Sequence, residues 1–169
     1  MTTAMELSEA LAGAVERSAA WVFDVHGRPR LPSTGVHWRP GLVVTANHTV
    51  EPEREVTLTD AEGRAVPARV VGRDPGLDIA VLRADIGARP APELAADGIR
   101  VGHLVVAIGA GPRASAGIVS ALDVRAAGRG PGDVLAVDLT LYPGFSGGPL
   151  VDVLGRIVGV STSGASRHL

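Results

Sequence analysis

Tyr142-Pro-Gly-Phe-Ser-Gly-Gly148, followed by Pro149, is the stretch on which the reading of this chain turns. A serine set among glycines is costly in backbone entropy unless the chain must turn sharply there or let something approach closely. Gly144 stands two positions before Ser146. That spacing lets the amides of Gly144 and Ser146 point at one developing negative charge, the arrangement that stabilises the tetrahedral intermediate of acyl transfer. The string alone is only moderately specific, because Gly/Ser turns are common. Two upstream segments add the weight. Leu42-Val-Val-Thr-Ala-Asn-His48 is an apolar strand running into a short polar turn, and Gly76-Leu-Asp-Ile-Ala-Val-Leu82 sets Asp78 just before another apolar run. Histidine, aspartate and serine in that order meet the needs of a Ser-His-Asp triad. Ser146 is the candidate nucleophile, His48 the base that takes its proton and returns it to the leaving group, and Asp78 the carboxylate that fixes the imidazole tautomer.

These segments resemble the chymotrypsin-fold serine proteases, and among them the HtrA (Deg) branch. Val43-Val-Thr-Ala-Asn-His-Thr-Val50 matches the family's V-[LV]-T-x-x-H-V-V segment with one change. Asp78-Ile-Ala-Val-Leu82 fits its D-x-A-[VL]-L, and Gly144-Phe-Ser-Gly-Gly-Pro-Leu150 differs from G-N-S-G-G-P-L only at Phe145. Val101–Gly109, Ser115–Ala121 and Gly155–Val160 agree as well, so the likeness runs over roughly residues 19 to 164. It implies an all-β fold of two six-stranded antiparallel barrels, with His48 and Asp78 on the first and Ser146 on the second. It also implies a serine endopeptidase acting on unfolded or extended polypeptide, with Gly144 and Ser146 forming the oxyanion hole. Thr140 and Leu141 fall where the family lines its primary specificity pocket; without an acid there, small or medium aliphatic side chains are the expected preference. Ser161-Thr-Ser163 falls where the family offers a backbone edge to an extended substrate, and Ser161 is also a candidate partner for Asp78.

Composition agrees with this fold class. A chain of 169 residues, 46% hydrophobic, is long enough to bury a core. Its 22 glycines and 12 prolines break the apolar runs into short pieces, as in an all-β protein. Candidate strands are Ala19–Val25, Ser33–Trp38, Gly41–Thr45, Glu55–Leu58, Ala65–Gly72 and Ile79–Arg83 in a first set. A second set comprises Leu104–Gly109, Ala114–Leu122, Leu135–Asp138, Gly148–Val151 and Arg156–Val160. The Ala- and Pro-rich stretch between the sets reads as a surface linker. The expected organisation is a helix over 1–18, a first barrel over 19–86, a linker over 87–100 and a second barrel over 101–169, all one trypsin-like protease domain. Thr3 and Glu6 form a candidate capping box, with Leu7, Leu11, Ala14, Val15 and Ser18 along one helical face.

Other readings are weighed against these. His26, His37, His103 and His168 sit in no matched motif and are taken as ordinary turn residues. Asp74, in Asp-Pro-Gly, is read as a turn former rather than a rival to Asp78. Phe145 replaces the usual Asn and is expected to pack beneath the turn. After Gly164 the sequence stops short of the strand, helix and PDZ module with which the family continues; whether as a fragment of a longer product or as a minimal relative, its second barrel is expected to be incomplete, with an unpaired edge. This motivates an alternative function, a catalytically impaired peptide-binding or chaperone-like module; an esterase of the same mechanism is a further one. No set of residues has metal-ligand spacing, and no cofactor is implied. A net charge of −2 makes no case for nucleic acid. The first twenty residues hold Glu6, Glu9, Glu16 and Arg17 and no apolar run, and the chain has no cysteine. From these the expectation is a cytoplasmic protein without a membrane partner. The family resemblance allows a homo-oligomer, a trimer in some relatives.

Overall fold

A computed structural model describes residues 3–29, 31–51, 55–95, 98–111, 113–122 and 134–163. Helix α1 (Ala4–Ser18) opens with the expected capping box: Glu6 N donates to Thr3 Oγ1 at 3.2 Å, and Thr3 N donates to Glu6 Oε2 at 2.6 Å. The helix passes through one 3-10 turn (Ala19–Trp21) into the strands, so the first strand begins at Val22 rather than Ala19.

Six strands follow: β1 (Val22–His26), β2 (Ser33–Arg39), β3 (Leu42–Ala46), β4 (Val56–Thr59), β5 (Ala65–Asp74) and β6 (Ile79–Ala84). They close into a barrel in the order β1-β2-β3-β6-β5-β4, and every pairing is antiparallel. Closure removes the edges that an open sheet would leave exposed. Its interior is filled from alternate positions by Phe23, Val25, Val43, Val50, Val56, Leu58, Leu82, Ala84 and Ile86.

The second set is β7 (Leu104–Gly109), β8 (Arg113–Ala121), β9 (Ala136–Asp138), β10 (Pro149–Asp152) and β11 (Ile157–Val160). These are the five strands expected of the second set. Among the described residues these form a five-stranded sheet, β11-β10-β7-β8-β9. The expected bare edge is corrected in part. Linker residues Glu93–Ala95 run beside the start of β11, with Ile157 N donating to Glu93 O at 2.8 Å and Ala95 N to Ile157 O at 2.9 Å.

A third apolar cluster joins the two sheets. Val22, Val36 and Val44 from the barrel meet Val106, Ile108, Val151 and Ile157 from the second sheet, with Ala14 of α1 among them and Leu11 and Val15 packed against it. The helix thus packs over the seam between the halves. His37 departs from its expected role. It lies on β2, buried, because both faces of that strand are covered from Ser33 to His37, and its Nδ1 sits 3.2 Å from the Pro90 carbonyl of the linker. His26 ends β1 and is exposed, His103 lies in the turn before β7, and His168 lies outside the described residues.

Candidate active site

His48 and Asp78 are placed by neighbouring strands of the first barrel. β3 and β6 pair through Val43↔Leu82 and Thr45↔Ala80 to a last rung at Ala46↔Ile79. His48 follows that rung in a 3-10 turn (Asn47–Thr49), and Asp78 precedes it. Thr49 Oγ1 caps the turn on Ala46 O at 2.7 Å, and Arg73 Nη1 holds Asn47 Oδ1 and Val50 O at 2.8 and 2.9 Å. On the other side Asp74 accepts from Leu77 N at 3.0 Å, the turn-forming contact expected of it. Asp78 itself adopts φ 58°, a left-handed conformation uncommon for any residue but glycine, though tolerated by Asp. In that conformation its carboxylate reaches back across the rung.

The result is a two-point contact. His48 N donates to Asp78 Oδ1 at 2.9 Å, and His48 Nδ1 lies 2.7 Å from Asp78 Oδ2. The carboxylate is about 10% exposed and the imidazole about 30%, so the ring is open to solvent while its partner is not. A third contact comes from the second sheet: the Thr162 hydroxyl donates to Asp78 Oδ2. This corrects the expectation for Ser161, which is buried and makes backbone bonds instead, donating to Gly148 O and accepting from Gly147 N. One position along an extended chain reverses the direction of the side chain. Burial alone would raise the Asp78 carboxyl; the Thr162 hydroxyl, the His48 ring and the His48 amide outweigh it and hold the group below the ordinary carboxylate range.

Ser146 sits buried in the turn before β10. The turn presses against the first barrel: Thr34 N donates to Ser146 O at 3.0 Å, and Gly147, at φ 88°, touches the Thr34 carbonyl, Thr45 Oγ1 and the Ala46 amide so closely that a Cβ would collide with all three. Ala46 is two residues from His48, so the turn lies against the element that carries the histidine. Among the described residues no hydrogen bond joins Ser146 Oγ to the His48 ring; Oγ lies 3.2 Å from Ser163 Oγ. Phe145 is packed beneath the turn with Val105, Ala107, Val119 and Leu150. Amides of Phe145, Gly147 and Gly148 are taken by Tyr142 O, Ser161 O and Phe145 O. The amides of Gly144 and Ser146 enter none of these bonds. Leu141 packs against the core that holds Phe145, and Thr140 is exposed. No cluster of His, Asp or Glu with the makings of a metal site occurs among the described residues.

Sequence reasoning missed Thr34, Arg73 and Thr162's contact. Their signals exist only once the strands are paired.

Comparison with known proteins agrees with this geometry. The family model described as a trypsin-like peptidase domain matches residues 33–160. The chain is 34% identical over 159 residues to Protease Do-like 1, chloroplastic, of Arabidopsis thaliana, covering 87% of this chain and 36% of the relative. It is 35% identical over 147 residues to a probable periplasmic serine endoprotease DegP-like of Brucella suis, and 37% over 144 residues to one of Rhizobium meliloti. Those matches cover 82% and 80% of this chain but 28% of each relative. The chain therefore spans roughly a third of the length of these relatives. Their names overturn the cytoplasmic expectation, since the bacterial relatives are called periplasmic. That expectation rested on a lack of cysteine and of an early apolar run, and a protein held by buried apolar clusters needs no disulfide in either compartment. Among the described residues no helix is long and apolar enough to cross a membrane. With a matching family model over most of its length, and relatives 34–37% identical over at least four-fifths of it, the chain belongs to the trypsin-like peptidase family, with the serine-type endopeptidases of the HtrA/DegP-like kind.

Proposed function

We propose that this chain cleaves peptide bonds of unfolded or extended polypeptides through an acyl-enzyme on Ser146, in a periplasmic setting like that named for its bacterial relatives. The observation that carries the reading is the two-point His48–Asp78 contact, 2.7 and 2.9 Å, beside a buried serine turn. Asp78 accepts from His48 Nδ1–H, which leaves Nε2 as the free lone pair and makes it the base. Nε2 takes the Ser146 proton as Oγ attacks the carbonyl carbon of the substrate. The oxyanion is met by the amides of Gly144 and Ser146, and the imidazolium then protonates the departing amine. Water deacylates the serine by the same route. In the resting protein Oγ rests on Ser163 at 3.2 Å; the attack requires it to turn from Ser163 to His48, and such contacts commonly tighten only when substrate is bound. Thr140, Leu141 and Ser161–Ser163 are proposed to line the substrate's path, with small or medium aliphatic residues preferred next to the cleaved bond.

The test is intact mass after a fluorophosphonate probe, together with hydrolysis of denatured casein, wild type beside Ser146→Ala. One adduct and turnover on wild type alone are expected. An equal response from both proteins, or none from either, refutes the reading. The Ser146–Ser163 contact favours one second reading, a binding module that holds extended chains without cutting them. Saturable binding of denatured casein to a wild type that neither labels nor cleaves would be its result.

A further inference from the structure

Thr34 stands at the end of β2 nearest the nucleophile turn, wholly buried, and all of its polar groups are engaged. Its hydroxyl donates to Gly144 O at 2.7 Å and accepts from Ala110 N at 3.0 Å. Its amide donates to Ser146 O at 3.0 Å, and its carbonyl accepts from Thr45 Oγ1 at 2.6 Å. One residue of the first barrel therefore grips, from below, the carbonyls of the two residues whose amides are left uncommitted.

A peptide unit is planar and trans, so fixing its carbonyl fixes the direction of the N–H on its other side. The 144–145 unit is held at both ends, by Thr34 Oγ1 on the carbonyl and by Tyr142 O on the Phe145 amide. The 145–146 unit is held by Gly148 N on the Phe145 carbonyl, which turns the Ser146 N–H away from the turn interior. The 146–147 unit is held by Thr34 N and Ser161 O. Gly144 is the loose joint. At φ 95° it has glycine's freedom, and its neighbour's carbonyl, Pro143 O, has only a long 3.4 Å contact with Arg113 Nη1. The short Thr34 bond on the following carbonyl is what stops the backbone from swivelling there.

We infer that Thr34 is a positioning residue for the reaction: its hydroxyl, locked between Gly144 O and Ala110 N, holds the Gly144 backbone in the orientation that keeps the Gly144 and Ser146 amides free for the oxyanion. The inference rests on the proposed acyl-enzyme. Thr34 never touches substrate, so its loss acts on transition-state binding and leaves ground-state binding alone.

The experiment compares Thr34→Val, which keeps shape and removes the hydroxyl, with Thr34→Ser, which keeps the hydroxyl. For a small activated ester, Thr34→Val is expected to lower kcat by about 10²-fold with KM within twofold, the size of losing one oxyanion donor. Its affinity for a peptide aldehyde, whose adduct carries the oxyanion, should fall by a similar factor. Affinity for an uncleaved peptide, measured on a Ser146→Ala background with and without Thr34→Val, should not move. Thr34→Ser should recover kcat to within about threefold of wild type. A Thr34→Val enzyme with wild-type kcat overturns the inference, as does equal loss of aldehyde and uncleaved-peptide binding. If Thr34→Val does not fold, Thr34→Cys decides: its weak donor should leave kcat well below that of Thr34→Ser, and equality overturns the inference. Wild type that takes no fluorophosphonate sinks the acyl-enzyme reading and this inference together, whereas a labelled wild type matched by Thr34→Val sinks this one alone.

Discussion

Replacing Phe145 by Ala should cost this domain about 3–5 kcal/mol. The ring is 1% exposed and lies among Val105, Ala107, Val119 and Leu150. Its edge meets the chain at Gly109 so tightly that a Cβ there would stand 3.0 Å from Cε2. Backbone of a strand cannot fall into the space that truncation leaves, so the site falls in the upper part of that range. Against a total stability of about 5–15 kcal/mol, this is about a quarter or more. Tyr142, which tilts over the same ring at 5.8 Å between centroids but is 55% exposed, serves as the control, with a loss of at most about 1 kcal/mol. Phe145→Asn puts in the family's usual residue and should do no better than Ala, because the amide would enter an apolar site without partners. Urea unfolding followed by the fluorescence of Trp21 and Trp38 reads the change directly. Both rings pack on the cluster that joins the sheets. A loss under about 1 kcal/mol for Phe145→Ala, at an unchanged denaturant slope, would refute the ring as the support of the nucleophile turn.

Two other outcomes follow from contacts at the site. Asp78 is held below its ordinary value of 3.8 when folded, so its contribution to stability is complete above that pH and is lost as pH falls through the lowered folded value. Asp78→Asn should therefore flatten the acid limb of stability below about pH 4, measured as urea midpoints in pH steps; parallel limbs would refute the linkage. Gly147→Ala and Gly63→Ala both place alanine at positive φ, 88° and 80°, but only the first meets the opposite barrel's backbone. Gly63→Ala should cost about 1–2 kcal/mol and Gly147→Ala clearly more, and equal urea midpoints would show that the seam is looser than described.

Much of this architecture was legible before any pairing was known. Each of the eleven candidate strands has its counterpart, from Ser33–Arg39 to Ile157–Val160, because short apolar runs between Gly and Pro turns carry their own boundaries. Asp78 could be told from Asp74 because the Asp-Pro-Gly run announces a turn, and Asp74 makes that turn's contact. What escaped the sequence lies where the halves meet. Thr34 reads as one more polar residue in a strand, and nothing local says that Gly144 and Ser146, over a hundred positions on, will lie beneath it. Ser161 and Thr162 are adjacent hydroxyls, and which one faces Asp78 depends on the register at the end of β11, where the patterning of apolar residues has run out. His37 hid for a related reason: a histidine in a strand looks polar, yet both faces of β2 are covered from Ser33 to His37.

The placement of the His48–Asp78 pair has a further consequence. Both residues flank the closing rung of one ladder, Ala46↔Ile79, inside a barrel that closes on itself. Ser146 is fastened to that barrel from outside, through Thr34 and Gly147. The His48–Asp78 pair is thus a property of one half, while its distance from Ser146, the proposed nucleophile, is a property of the docking. Partial loosening of the seam would draw Ser146 away from His48 while leaving the imidazole's partner in place, and on the proposed mechanism that alone would stop catalysis. An inactive preparation of this chain should therefore still look folded, and the fault should be sought in the alignment of two sound halves rather than in a damaged residue.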